Sequence, residues 1–132
     1  MSRDNVEIVR QALAAYAEGG FEATRAFMAP DAELDQTPGT PFSGTYSGFD
    51  AAVESMRDWM SAFEHFDAKP SDVIDAGEQV IVAWDESGTA RGGSVELRET
   101  FYMLYTLREG KIVRLAWFAD RADAFKAAGL SS

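Results

Sequence analysis

Hydrophobic and polar positions alternate most regularly between Val95 and Asp120, with a period of two. Val95, Leu97, Phe101, Met103, Tyr105 and Leu107 interleave with Glu96, Arg98, Thr100 and Thr106, which predicts a strand with one buried face. Glu99 falls on the apolar side. Arg108-Glu109-Gly110 supplies a turn whose glycine suits a positive φ. The return strand sets Val113, Leu115, Trp117 and Ala119 against Ile112, Arg114, Ala116 and Phe118. Strands this long predict a curved sheet that helices from elsewhere in the chain must cover.

Upstream the period becomes helical. Val6, Val9, Leu13 and Tyr16 recur at helical spacing between a capping-box variant, Asp4 with Glu7, and the Gly19-Gly20 stop. A shorter amphipathic piece over 21–28 is closed by Pro30. A brief strand over 31–36 sets Leu34 and Gln36 against Glu33 and Asp35. The segment from Thr37 to Gly48 has two prolines and three glycines and reads as a loop. Its Tyr46 suits either a lid or an ordinary connection. Ser47, with Asp50 three residues on, suits the cap of a long helix over 49–66, with Val53, Met56, Met60 and Phe63 on one face and Trp59 and Phe66 beside it. Lys69-Pro70 ends that helix. Strands at 73–74 and 79–86 and a loop over 87–94 lead into the hairpin, after which Asp120 suits the N-cap of a helix over 121–128 with Gly129 at its C′ position. Helices first and antiparallel strands afterwards indicate α+β, in one domain spanning 1–132.

Composition narrows the partners. A chain of 132 residues can bury about two-thirds of its unfolded surface. Without cysteine it has no disulfide framework and no thiolate metal site. Neither a signal-like start nor a membrane-length apolar run is present, so the expected setting is the cytoplasm, with no membrane partner. A net charge of −10 argues against nucleic acid as a partner. Tyr102, Leu104, Phe118 and Trp84, read as one outward face, form an apolar patch suited to a two-fold homodimer.

Several short stretches together resemble the SnoaL-like branch of the NTF2-like superfamily: Ala29-Pro30-Asp31-Ala32, Phe42-Ser43-Gly44, Asp75-Ala76-Gly77, Glu109-Gly110-Lys111-Ile112, and Asp120-Arg121 with Ala127-Ala128-Gly129-Leu130. The likeness covers nearly the whole chain. It implies an NTF2-like cone: a strongly curved, mostly antiparallel sheet covered by three N-terminal helices, with a short C-terminal helix. It also implies an apolar pocket at one end and a homodimer through the outer sheet face. Fold does not carry reaction, so relatives are compared site by site. The general-base aspartate of ketosteroid isomerases falls on or next to Gln36, and an amide takes no proton at neutral pH. Their oxyanion-hole pair falls near Ala12 and Met103, with Tyr16 one helical turn from the tyrosine position. The Asp-Arg-Asp set of limonene epoxide hydrolases is approached only by Arg98, Glu99 and Asp120, and alternation separates Arg98 from Glu99. The acid–base aspartate of SnoaL-type cyclases is matched by Asp120, which also fits a helix cap.

The candidate catalytic residues are therefore Glu99, Asp85 and Asp120. Glu99 among apolar neighbours is expected to have a raised pKa, unless it sits at the pocket mouth and pairs with an arginine such as Arg91. On its strand Asp85 shares a face with Ile81 and Ala83, while Val80, Val82, Trp84 and Glu86 share the other. Alternation leaves open which is inside; the resemblance favours Asp85. If inside, Asp85 and Glu99 can share a proton. His65 reads as a helix C-terminal histidine and cannot build a metal site alone. Tyr16, Gln36, Trp59, Phe63, Phe101, Met103 and Trp117 are the candidate ligand-binding residues. No cofactor and no metal is called for. Two functions fit: a cofactor-free isomerase, cyclase or hydratase acting on a small apolar organic ligand, or a non-catalytic ligand-binding or dimeric scaffold module.

Overall fold

The computed structural model describes residues 2–36, 44–93 and 95–130. Helix α1 (Ser2–Gly19) and a 3-10 helix (Phe21–Phe27) precede strands β1 (Met28–Asp35) and β2 (Thr45–Ser47) and helix α2 (Phe49–Ser61). Four long strands follow: β3 (Phe63–Ala76), β4 (Gln79–Ala90), β5 (Glu96–Arg108) and β6 (Lys111–Phe118). Helix α3 (Arg121–Ala127) comes last. The six strands form one curved, unclosed sheet in the order β2-β1-β6-β5-β4-β3. All neighbours run antiparallel except β1 and β6, which are parallel. This is the α+β architecture expected from the order of the patterns.

Each face of the sheet has its own core. Val9 and Ala12 of α1 and Phe49, Ala52 and Val53 of α2 pack against Leu34, Val80, Val82, Met103 and Leu115. On the opposite face, Ala124 and Phe125 of α3 cover Ile81, Leu104, Ala116 and Phe118. The apolar patch expected for a dimer is corrected by this packing: Leu104 and Phe118 are buried beneath α3, and Trp84 lies on the other face. The β5–β6 ladder also shifts. It runs Met103↔Trp117 and Tyr105↔Leu115, then slips so that Leu107 faces Ile112. Ile112 therefore joins Leu115 rather than Ala116 and Phe118, because a bulge reverses the side-chain parity that alternation assumes.

Further expectations change, most of them through pairing. The long helix stops at Ser61, and the stretch expected to be its last turn begins β3, which runs through Pro70 as an edge strand. His65 accordingly sits in a strand, at φ 56, beside the ladder irregularity between Glu64 and Asp67. The expected loop over 87–94 is largely strand, since β4 continues to Ala90 and pairs Phe63 with Ala90 and Glu64 with Thr89. Gly88 belongs there because a Cβ on it would come within 3.3 Å of the Phe63 side chain. Strand β1 begins at Met28 and passes through Pro30. Of the loop expected before α2, residues 37–43 lie outside the described residues, and Tyr46 is in β2 opposite Leu34. Gly48, not Ser47, precedes α2, without a side-chain cap, and Asp50 pairs with Arg25 at 2.6 Å. At the hairpin Glu109 (φ 52) and Gly110 (φ 79) both adopt positive φ. Gly129 (φ 76) closes α3 as expected, with the Leu130 N–H donating to the Phe125 carbonyl at 2.8 Å.

Candidate functional site

Between the sheet and helices α1 and α2 lies a cavity of about 650 Å³. Period-2 pairing builds its wall. Trp84 faces Phe101 and Glu86 faces Glu99 across β4 and β5, and Met103 faces Trp117 across β5 and β6. The rings of Trp84 and Phe101 stack at 6.1 Å and 4°, those of Phe101 and Trp117 at 5.4 Å and 28°. Tyr16 of α1 meets Trp84 edge-on at 5.1 Å. Such pairs fix the lining in place, so the cavity keeps its shape without a ligand.

Six of the seven expected ligand-binding residues line this cavity: Tyr16, Gln36, Trp59, Phe101, Met103 and Trp117. Gln36 accepts a 3.5 Å hydrogen bond from the Ser55 hydroxyl. The seventh, Phe63, does not line it; Phe66 does. Phe63 lies in β3 against Gly88 and supports Trp59 edge-on at 5.0 Å. Trp59 and Met60, 43% and 40% exposed, stand where the cavity opens.

The acid groups are placed differently from the expectation. Asp85 is on the outer face, exposed, and accepts the Thr100 hydroxyl at 2.8 Å. The strand parity that brings Val80, Val82 and Trp84 inward carries Glu86 with them. Asp120 is exposed beside α3, outside the cavity lining; its backbone carbonyl, not its side chain, accepts the Ala124 N–H at 3.2 Å. Glu99 lines the cavity but is itself exposed, not buried as its apolar neighbours suggested, with Glu86 as the buried acid opposite it. Arg91 is committed elsewhere, its Nε–H donating to the Ser61 carbonyl at 2.5 Å.

Glu86 is 5% exposed, and its Oε1 is buried without a hydrogen-bond partner among the described residues. Burial, then the hydrogen bond with Glu99, then the charge of Glu99 push its carboxyl up to about 8, against a weaker opposing bond from Trp59. The Tyr16 hydroxyl is raised by burial and by the charges of Asp67 and Glu86, and burial raises Tyr105 as well. The cavity thus holds a carboxyl that keeps its proton near neutrality, with a second carboxyl bonded to it. That arrangement can give or take a proton in an apolar setting. Among the described residues, no three His, Cys, Asp or Glu side chains converge as a metal-ion site.

The family model for the SnoaL-like domain matches residues 9–115. This chain belongs to the SnoaL-like family. Solved structures agree on the fold. An NTF2-like protein from Burkholderia thailandensis E264 is 28% identical, the match covering 87% of this chain and 89% of that one with a TM-score of 0.77. TerC co-crystallised with polyporic acid is 21% identical over 96% and 98% of the two chains, TM-score 0.74. A protein of ketosteroid isomerase-like fold from Catenulispora acidiphila DSM 44928, in complex with trimethylamine, is 17% identical over 94% and 93%, TM-score 0.69. No protein of curated function matches the sequence. As a SnoaL-like domain the chain presents its acid pair on β4 and β5. Glu86 could have been found from sequence had the two strands been paired with Trp84 opposite Phe101, because the next inward pair is then Glu86 and Glu99. No helix among the described residues is long and apolar enough to cross a membrane.

Proposed function

We propose that this SnoaL-like domain encloses a small, largely apolar organic molecule and moves a proton on it, without a cofactor, through the Glu86–Glu99 pair. The observation carrying this reading is the pair itself: buried Glu86 on β4 faces exposed Glu99 on β5, and both line an aromatic-walled cavity. Glu86 is the proton carrier, because a pKa near 8 keeps acid and base forms both populated around neutrality. Glu99 is hydrogen-bonded to it, and the hydroxyls of half-buried Tyr16 and buried Tyr105 are the neutral donors available to a developing oxyanion. Isomerisation, aldol-type cyclisation and hydration all need such a proton relay. Two proteins of this fold in complex with organic molecules, polyporic acid in one and trimethylamine in the other, support the use of the cavity for binding. A cytoplasmic setting and a homodimer belong to the same proposal. The dimer can use only the part of the outer face that α3 leaves open, around half-buried Tyr102 and exposed Asp85 and Thr100.

The test is proton exchange. The protein is incubated in heavy water with a panel of aryl ketones and enones small enough for the cavity, and deuterium uptake next to the carbonyl is read by mass spectrometry. Uptake that rises through the titration of Glu86 and is lost in Glu86→Gln is the expected result. Ligand-dependent thermal stabilisation without uptake for any compound sinks the catalytic reading and leaves the non-catalytic binding module.

A further inference from the structure

The charge around the cavity has one sign. Among the described residues that line it, Asp58, Glu86 and Glu99 are acidic, and no lysine, arginine or histidine joins them. Arg91, just after β4, and Arg57, on α2, do not line the cavity: Arg91 donates to the Ser61 carbonyl and Arg57 pairs with Glu22. Apart from these acids and the uncharged Thr24, Gln36 and Ser55 the wall is aromatic or apolar, with Tyr16, Trp84, Phe101 and Trp117 in ring contact beside Glu86 and Glu99 and Trp59 on α2. Ring faces attract cations, most strongly where water is excluded. Glu86 lines the same cavity, and its Oε1 is buried without a hydrogen-bond partner among the described residues, so the carboxylate lacks a positive group that a ligand could bring.

We propose that the molecule this cavity selects carries a positively charged nitrogen on an apolar body, the organic ammonium seated at Glu86 and Glu99 among the aromatic rings. The inference rests on the reading of the cavity as a ligand pocket and names the class of ligand it takes. It disfavours carboxylates, sulfonates and phosphates, which would bring a second negative charge to buried Glu86 and its neighbour Glu99. It also makes binding expel a proton. The cation favours the fully ionised pair, so below the titration of Glu86 each molecule bound drives off the proton that the pair shares. Burial, Glu99 from β5 and Trp59 from α2 set this titration, and the other ionisable groups lining the same cavity are Tyr16 from α1, Tyr46 from β2, Asp58 from α2 and Tyr105 from β5.

Phenyltrimethylammonium and tert-butylbenzene test the proposal, since they share a shape and differ in charge, and the ammonium has no proton of its own to lose. All three tryptophans of the chain line the cavity, so intrinsic fluorescence reads its occupancy directly. The cation is expected to bind at least about tenfold more tightly than the hydrocarbon at pH 9, equivalent to about 1.4 kcal/mol. That preference narrows at pH 6, and binding in weakly buffered solution at pH 7 releases close to one proton per cation. Glu86→Gln and, independently, Glu99→Gln should weaken the cation and leave the hydrocarbon unchanged, with proton release lost in Glu86→Gln and reduced in Glu99→Gln. Equal binding of the two probes, or an equal effect of either substitution on both, overturns the charge preference while leaving the pocket reading intact. Failure of both probes to bind overturns the pocket reading and this inference with it.

Discussion

Glu86 keeps its proton at a pH where a solvated glutamate has lost it, because the strand that carries it turns the side chain away from water and towards another acid. The folded state therefore binds more protons than the unfolded chain between about pH 4.5 and 8, and stability falls as pH rises through that window. Below the lower limit the protonated carboxyl costs the fold nothing; above the upper limit the charge is buried at full penalty. The melting temperature of the wild-type protein should drop by several degrees more between pH 6 and pH 9 than that of Glu86→Gln, measured by calorimetry in parallel. If both fall equally, Glu86 is not the buried acid. A companion substitution separates the causes. Glu99→Gln removes the neighbouring charge but not the burial, so the Glu86 titration followed by carboxyl carbon NMR should move down and stop above the ordinary glutamate value. The importance of the inward face is legible in the sequence, since Glu99 interrupts an otherwise apolar run. The choice between Asp85 and Glu86 is not, because alternation gives two faces and no sign. Only the pairing of Trp84 with Phe101 supplies the sign.

At the scale of elements, the hairpin between β5 and β6 is readable from sequence because its turn chemistry is local. Glu109 nonetheless holds a left-handed backbone at φ 52, which costs an L-residue with an ordinary side chain more than it costs asparagine. Glu109→Asn should raise unfolding free energy by about 0.5–1 kcal/mol in urea titration. A loss of stability would mean that the Glu109 side chain makes a contact worth more than the strain. The end of α2 is not readable, for the opposite reason. Phe63 and Phe66 continue the helical spacing of Met56 and Met60, and Gly88 looks like loop, yet each is overruled by a partner far away in sequence. Phe63 pairs with Ala90 and lies over Gly88, so two local misreadings are a single long-range fact. The bulge that redirects Ile112 belongs with them, since no residue near it announces the slip.

At the scale of the molecule, the cone architecture follows from the order of patterns together with the family resemblance, whereas the burial of Leu104 and Phe118 depends on where a seven-residue helix lands. The sheet is also open, and an open sheet offers its edges to other chains. Here one edge, β2, is only three residues long. The other, β3, carries Pro70, which has no N–H to donate, and its ladder with β4 is irregular at two places, between Glu64 and Asp67 and between Pro70 and Asp72. Among the described residues, a passing strand finds a short edge on one side and an interrupted one on the other. Edges of this kind are expected to slow the seeding of cross-β fibres by the long, strongly β-forming segments between them. Pro70→Thr, which restores a donor to the exposed edge, should shorten the lag before thioflavin-positive aggregates form. An unchanged lag would place the protection in the net charge of −10 instead.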